Sequence, residues 1–142
     1  MGLTKDFGGL TPITAILSQV LTADANGATC DLLGFGGVAI SFNVGNSADT
    51  LSGSVEINLE VQHSDDDSTW SACADTDIID SVTGANTGTL AHIDAPAEDS
   101  NVFTTQYIGG KRYVRGVVNL VGTHTNGTPI SCTYIRFRPE SI

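Results

Sequence analysis

Between residues 54 and 62 the chain alternates without a fault. Val55, Ile57, Leu59 and Val61 stand at one parity, and Ser54, Glu56, Asn58, Glu60 and Gln62 at the other. A period of two sends successive side chains to opposite faces of an extended backbone. The stretch therefore predicts a strand with one face on a core and the other in water. The beat breaks at Ser64-Asp65-Asp66-Asp67-Ser68, whose short side chains bond their own backbone and favour a tight turn. Trp70 and Ala72 resume it, which predicts a hairpin with Trp70 packed inward.

The same period recurs elsewhere. Val38, Ile40, Phe42 and Val44 alternate with Ala39, Ser41 and Asn43. Residues 13–21 read as extended, 22–27 as a turn and 28–33 as a second strand. Residues 101–108 and 111–121 read as two strands joined by a two-residue Gly109-Gly110 turn, and residues 130–137 as the last strand. Residues 77–80 and 89–93 suggest short edge strands in a region of surface loops. No stretch shows a convincing amphipathic helix. The expected fold is all-β: an antiparallel two-sheet β-sandwich or jelly roll over residues 13–142, preceded by an extended N-terminal arm over residues 1–12. In that arm Leu3, Phe7 and Leu10 are the sizeable apolar residues.

Charge is unevenly distributed. Residues 1–110 carry one base against fifteen acids, a net of −14, whereas residues 111–142 carry five bases against one acid, a net of +4. An acidic body repels phosphates, so nucleic acid is not an expected partner. The basic C-terminal third either pairs with acids of the same fold or meets an acidic neighbour. No apolar run approaches the roughly 18 residues needed to cross a bilayer, and no secretory signal opens the chain, so no membrane partner is expected and synthesis in a cytosol is. Cys30, Cys73 and Cys132 cannot all pair within one chain and are read as small buried apolar residues.

Chemistry is sparse in the sequence. No nucleophile elbow, zinc-protease motif or phosphate-cradling loop is present, so no enzyme, no catalytic residue and no cofactor is expected. His63, His92 and His124 fall in or beside turns and read as solvated polar residues; their spacing with the cysteines does not support a metal site. Asp65, Asp66 and Asp67 are weak candidates for calcium, against the simpler reading of a solvated acidic turn. The segment from Val61 to Trp70 resembles the turn of discoidin-like carbohydrate-binding sandwiches, with Asp67 where those have glycine. That likeness implies an alternative, a carbohydrate-binding or host-attachment module that uses Trp70 as a stacking platform.

A second resemblance reaches further along the chain. Leu59-Glu60-Val61-Gln62-His63-Ser64-Asp65-Asp66-Asp67-Ser68-Thr69-Trp70 and Tyr107-Ile108-Gly109-Gly110-Lys111-Arg112-Tyr113-Val114-Arg115 are joined by Gly122-Thr123 and Pro129-Ile130-Ser131. With Ala28-Thr29-Cys30-Asp31-Leu32-Leu33-Gly34-Phe35, they resemble small structural proteins found among the head genes of tailed phages and prophages. The resemblance implies a virion component, a decoration (cement) protein that binds and stabilises the icosahedral head lattice from the capsid exterior after synthesis in the bacterial host cytoplasm. It implies the major capsid protein and sister copies, as a homotrimer, for partners. A head-completion or tail component is the further alternative. Under this reading Leu3, Phe7 and Leu10 in the arm, and Lys111, Arg112, Arg115, Arg136 and Arg138, are the expected contacts.

Overall fold

The computed structural model describes residues 9–139. It contains ten strands: β1 (Thr11–Leu21), β2 (Ala25–Asn26), β3 (Cys30–Asp31), β4 (Phe35–Val44), β5 (Glu56–Ser64), β6 (Ser71–Ala72), β7 (Thr89–Ile93), β8 (Asn101–Tyr107), β9 (Tyr113–Val121) and β10 (Thr128–Pro139). Short 3₁₀ turns at Asp75–Asp77 and Pro96–Glu98 are the only helical pieces among the described residues. The first sheet runs β1-β10-β4-β8. The second has β9 and β5 at its centre, with β2 and β3 alongside β9 and with β6 and β7 alongside β5. Every pairing is antiparallel, and the two sheets pack as a β-sandwich.

Alternation decides what lies between the sheets. Val38, Ile40, Phe42 and Val44 of β4 and Ile130, Cys132 and Tyr134 of β10 come from one side. Ile57, Leu59 and Val61 of β5 meet them with Val114 and Val118 of β9. Each large apolar side chain sealed there contributes about 1.5–3 kcal/mol relative to exposure. Tyr134 is the largest fully buried side chain among the described residues, and its hydroxyl is satisfied across the sandwich. It accepts the Gly116 amide hydrogen at 2.8 Å and donates to the Ala28 carbonyl at 2.7 Å. Gly116 faces the core opposite Val61, where a Cβ would come within 2.8 Å of the Phe42 ring.

Several local expectations change. Thr11 and Pro12 pair with Arg136 and Ile135, so β1 takes in two residues that sequence reading leaves to the arm. The second expected strand is reduced to Cys30–Asp31, with Ala25–Asn26 as a separate short partner of β9. β5 and β6 do form the expected hairpin. β8 and β9 do not: β8 pairs with β4 in one sheet and β9 with β5 in the other, so the segment around Gly109-Gly110 crosses between sheets. Residues 77–80 form no strand; Ile78 makes a single bridge to Tyr107.

The outer faces of the two sheets differ in chemistry. On the first sheet the register turns outward Pro12 and Thr14 of β1 and Ser131, Thr133, Ile135 and Phe137 of β10. It adds Ala39, Ser41 and Asn43 of β4 and Val102, Thr104 and Gln106 of β8. None of these is charged. Arg138 lies at one end, its guanidinium carbon 5.5 Å from the Phe137 ring centroid. On the second sheet the outward residues are Glu56, Asn58, Glu60 and Gln62 of β5 beside Arg115, Val117 and Asn119 of β9. The expectation that this face of β5 lies in water is wrong for its middle, because Asn58 and Glu60 are fully buried.

Candidate functional site

What buries Asn58 and Glu60 is the loop between β6 and β7. Its Ala85 amide donates to Asn58 Oδ1 at 3.3 Å, and Asn86 Nδ2 donates to Glu60 Oε1 at 2.9 Å. Gly84 allows the close approach, since a Cβ there would sit 2.6 Å from Thr89 Oγ1 and 2.8 Å from Asn58 Oδ1. Glu60 Oε2 accepts a second bond from Asn119 Nδ2 at 3.0 Å, so both carboxylate oxygens are paired under the loop. A carboxylate removed from water needs such donors to stay charged at low cost.

Beside this network the β5–β7 register sets His92 directly opposite Asn58. His92 Nδ1 lies 2.8 Å from Asn58 Oδ1 and 4.0 Å from Glu56 Oε2, and His92 Nε2 lies 3.6 Å from Asp94 Oδ2. Glu56, His92 and Asp94 bring three ligating atoms within 4.8 Å of one another, the one such group among the described residues. Asp94 is held from the following 3₁₀ turn, where Glu98 Oε2 accepts its amide hydrogen at 2.9 Å. His92 and Glu98 also line a cleft of about 570 Å³ that opens where the sheets part along β7 and β8. Its walls include Val82, Leu90, Ile93 and Phe103.

The other two histidines are not solvated turn residues either. His63 is turned inward, with Nδ1 2.9 Å from the Tyr107 hydroxyl, and burial holds its pKa below the ordinary range. His124 is buried, with Nε2 3.1 Å from the Glu56 carbonyl oxygen and 3.0 Å from that of Val121. Carbonyl oxygens only accept, so Nε2 carries the hydrogen.

The basic residues singled out by sequence are largely engaged within the chain. Lys111 Nζ lies 2.9 Å from Asp65 Oδ2. Arg112 makes a two-pronged pair with Asp31 at 2.8 and 2.9 Å, which holds the Asp31 carboxyl at about 2. Arg115 donates twice to Gln62 Oε1 and stacks on Trp70, 4.5 Å from the ring centroid. Trp70 is thus half-buried on the outer face of the second sheet rather than packed inward. Arg136 lies over the Phe35 ring at 4.1 Å and reaches the Asp31 carbonyl. Arg138 and Leu10 are exposed, while Leu3 and Phe7 lie outside the described residues.

The acidic turn assigns each aspartate a separate task. Asp66 Oδ1 accepts the Ser68 and Thr69 amide hydrogens and the Ser64 hydroxyl, and these donors hold its carboxyl at about 2. Asp65 faces Lys111, and Asp67, at φ 59°, accepts the Thr29 hydroxyl. Their ligating atoms do not converge.

No protein-family model matches the chain, and no curated protein does either.

The Glu56–His92–Asp94 group was missed because Glu56 lies 36 and 38 residues before His92 and Asp94 and only strand pairing unites them. A sequence signal does exist. Glu56 and Asn58 stand at one strand parity, and His92, in the segment 89–93 read as a strand, and Asp94 just beyond it repeat that two-residue spacing.

Proposed function

We propose that the protein is a structural component of a tailed-phage virion, a decoration protein that binds the icosahedral head lattice from outside and stabilises it. The observation that carries this reading is the uncharged outer face of the first sheet in a chain of net charge −10. Such a face, made of hydroxyl, amide and apolar side chains, can be sealed against another protein without burying an unpaired charge. Among the described residues no strand lies beyond β1 or β8; Ala28 bonds the Ala15 carbonyl and the 77–79 segment bonds the Gln106–Ile108 end of β8, and the rest of each edge leaves backbone donors and acceptors for a partner. The resemblance to head-gene products supports the same assignment. The partners under this reading are the major capsid protein and sister copies, with Leu10 and Arg138 as contacts at the margins of that face. The acidic remainder keeps a densely decorated particle soluble.

The carbohydrate reading has less to support it, because the Arg115 guanidinium already occupies a face of Trp70. The decoration reading is tested by adding purified protein to undecorated heads. Binding is expected to raise the melting temperature of the heads, and a Thr133→Lys, Thr104→Glu variant is expected to fold yet fail to bind. Absence of binding by the parent protein would sink the assignment. Copy number per particle separates a lattice-wide protein from a head-completion or tail component.

A further inference from the structure

Hydrogen-bond logic at His92 points to a ligand. The Ala85 amide can only donate, so the Asn58 side-chain atom facing it, at 3.3 Å, is the oxygen. That oxygen can only accept, so His92 Nδ1, at 2.8 Å, carries the imidazole hydrogen. The lone pair of Nε2 is then left facing Asp94 Oδ2 at 3.6 Å, acceptor against acceptor. A cation placed between the two atoms would pair with both.

We propose that Glu56, His92 and Asp94 form a binding site for a divalent transition-metal ion of the zinc class. The donor set is one imidazole nitrogen with two carboxylates, a combination that suits zinc and its neighbours. Calcium is a poor fit, since it takes six or more oxygens. Tetrahedral zinc with bonds of about 2.0–2.1 Å spaces its donors about 3.4 Å apart. The 3.6 Å between His92 Nε2 and Asp94 Oδ2 is close to that spacing, and Glu56, whose Oε2 lies 4.0 Å from Nδ1, completes the set by rotating its partly exposed carboxylate to the Nε2 side. The supporting shell is already in place. Asn58 fixes the His92 tautomer, as the outer partner of a metal-bound histidine does, and Glu98 anchors the Asp94 backbone. All three ligands are reachable from solvent, with side-chain exposures of 18% for Glu56, 29% for His92 and 41% for Asp94. Three protein ligands leave a fourth position for water or for a group from a partner. This assignment is independent of the decoration reading.

The test is zinc chloride titrated calorimetrically into the chelator-stripped full chain, with nitrogen NMR of His92 alongside. The expected result is one saturable ion per chain, a raised melting temperature, and a Nε2 resonance that moves on zinc addition while Nδ1 keeps its hydrogen. His92→Ala and the near-isosteric Asp94→Asn are each expected to weaken binding about tenfold or more, and His63→Ala to leave it unchanged. Three outcomes would overturn the proposal: no saturable binding, binding that survives in Asp94→Asn, or a doubly protonated His92 that zinc does not affect. Asp94→Asn leaves the histidine in place, so the result does not depend on His92→Ala folding.

Discussion

The Tyr134 hydroxyl, on β10 of the first sheet, accepts the Gly116 amide hydrogen at 2.8 Å from β9 of the second. The sandwich is therefore joined by a directional bond as well as by apolar packing. The same hydroxyl donates to Ala28, and burial pushes its pKa far up, so it stays protonated and keeps both roles. Tyr134→Phe removes the oxygen and leaves the Gly116 N–H and Ala28 C=O without it. The expected loss is about 2 kcal/mol of unfolding free energy by urea denaturation. A loss of a few tenths would mean that the bond adds little to packing.

Gly116 is where space, not hydrogen bonding, is limiting. A Cβ would meet Phe42 at 2.8 Å, and Cys132 Sγ and Ile40 Cγ2 each at 3.3 Å. Gly116→Ala is expected to cost about 1–3 kcal/mol through overpacking. Adding Phe42→Leu should cost less in that background than in the parent, and strict additivity of the two changes would contradict the proposed clash.

Acid should loosen the β5–β6 hairpin. Asp66 and Asp31 both have carboxyls lowered from an ordinary 3.8 to about 2, Asp66 by backbone amides first and Asp31 by Arg112 first. A depressed folded-state pKa means that the charged form favours the native state. Its contribution is complete well above the ordinary value and is lost as pH falls from there toward 2. Asp66→Asn is expected to lower the melting temperature at neutral pH and to flatten its decline between pH 5 and pH 2. Parallel melting curves for variant and parent across that range would refute the role given to Asp66.

All three thiols are buried, and desolvation pushes Cys30 up to about 11 and Cys73 and Cys132 up to about 12. The thiolate is the reactive form, so native protein should resist a disulfide-exchange reagent at neutral pH and react fully only when unfolded. Prompt labelling of any one of them in the native state would contradict the burial.

The strands of the sandwich were legible wherever one face met the core and the other met water. β4 and the inward side of β5 announce themselves by parity alone. Partner choice was not legible: the spacing around Gly109-Gly110 suits a hairpin, yet β8 runs along β4 in one sheet and β9 along β5 in the other. Nor does alternation say what covers an outward face. Asn58 and Glu60 read as solvent-facing because polarity at one parity means water when nothing lies above it. Here the loop through Gly84 and Asn86 supplies the donors that water would have supplied. Trp70 was misplaced for a related reason. A large aromatic next to a core strand suggests the interior, but a cation on the neighbouring strand offered it a stacking partner outside.

That placement makes the sole tryptophan a local optical probe. Its emission reports on the tip of one hairpin and on a guanidinium, while the backbone signal in circular dichroism reports on both sheets. The two signals will trace one unfolding curve only if the hairpin and the sandwich come apart together. A fluorescence change that runs ahead of the ellipticity would reveal a hairpin that frays on its own.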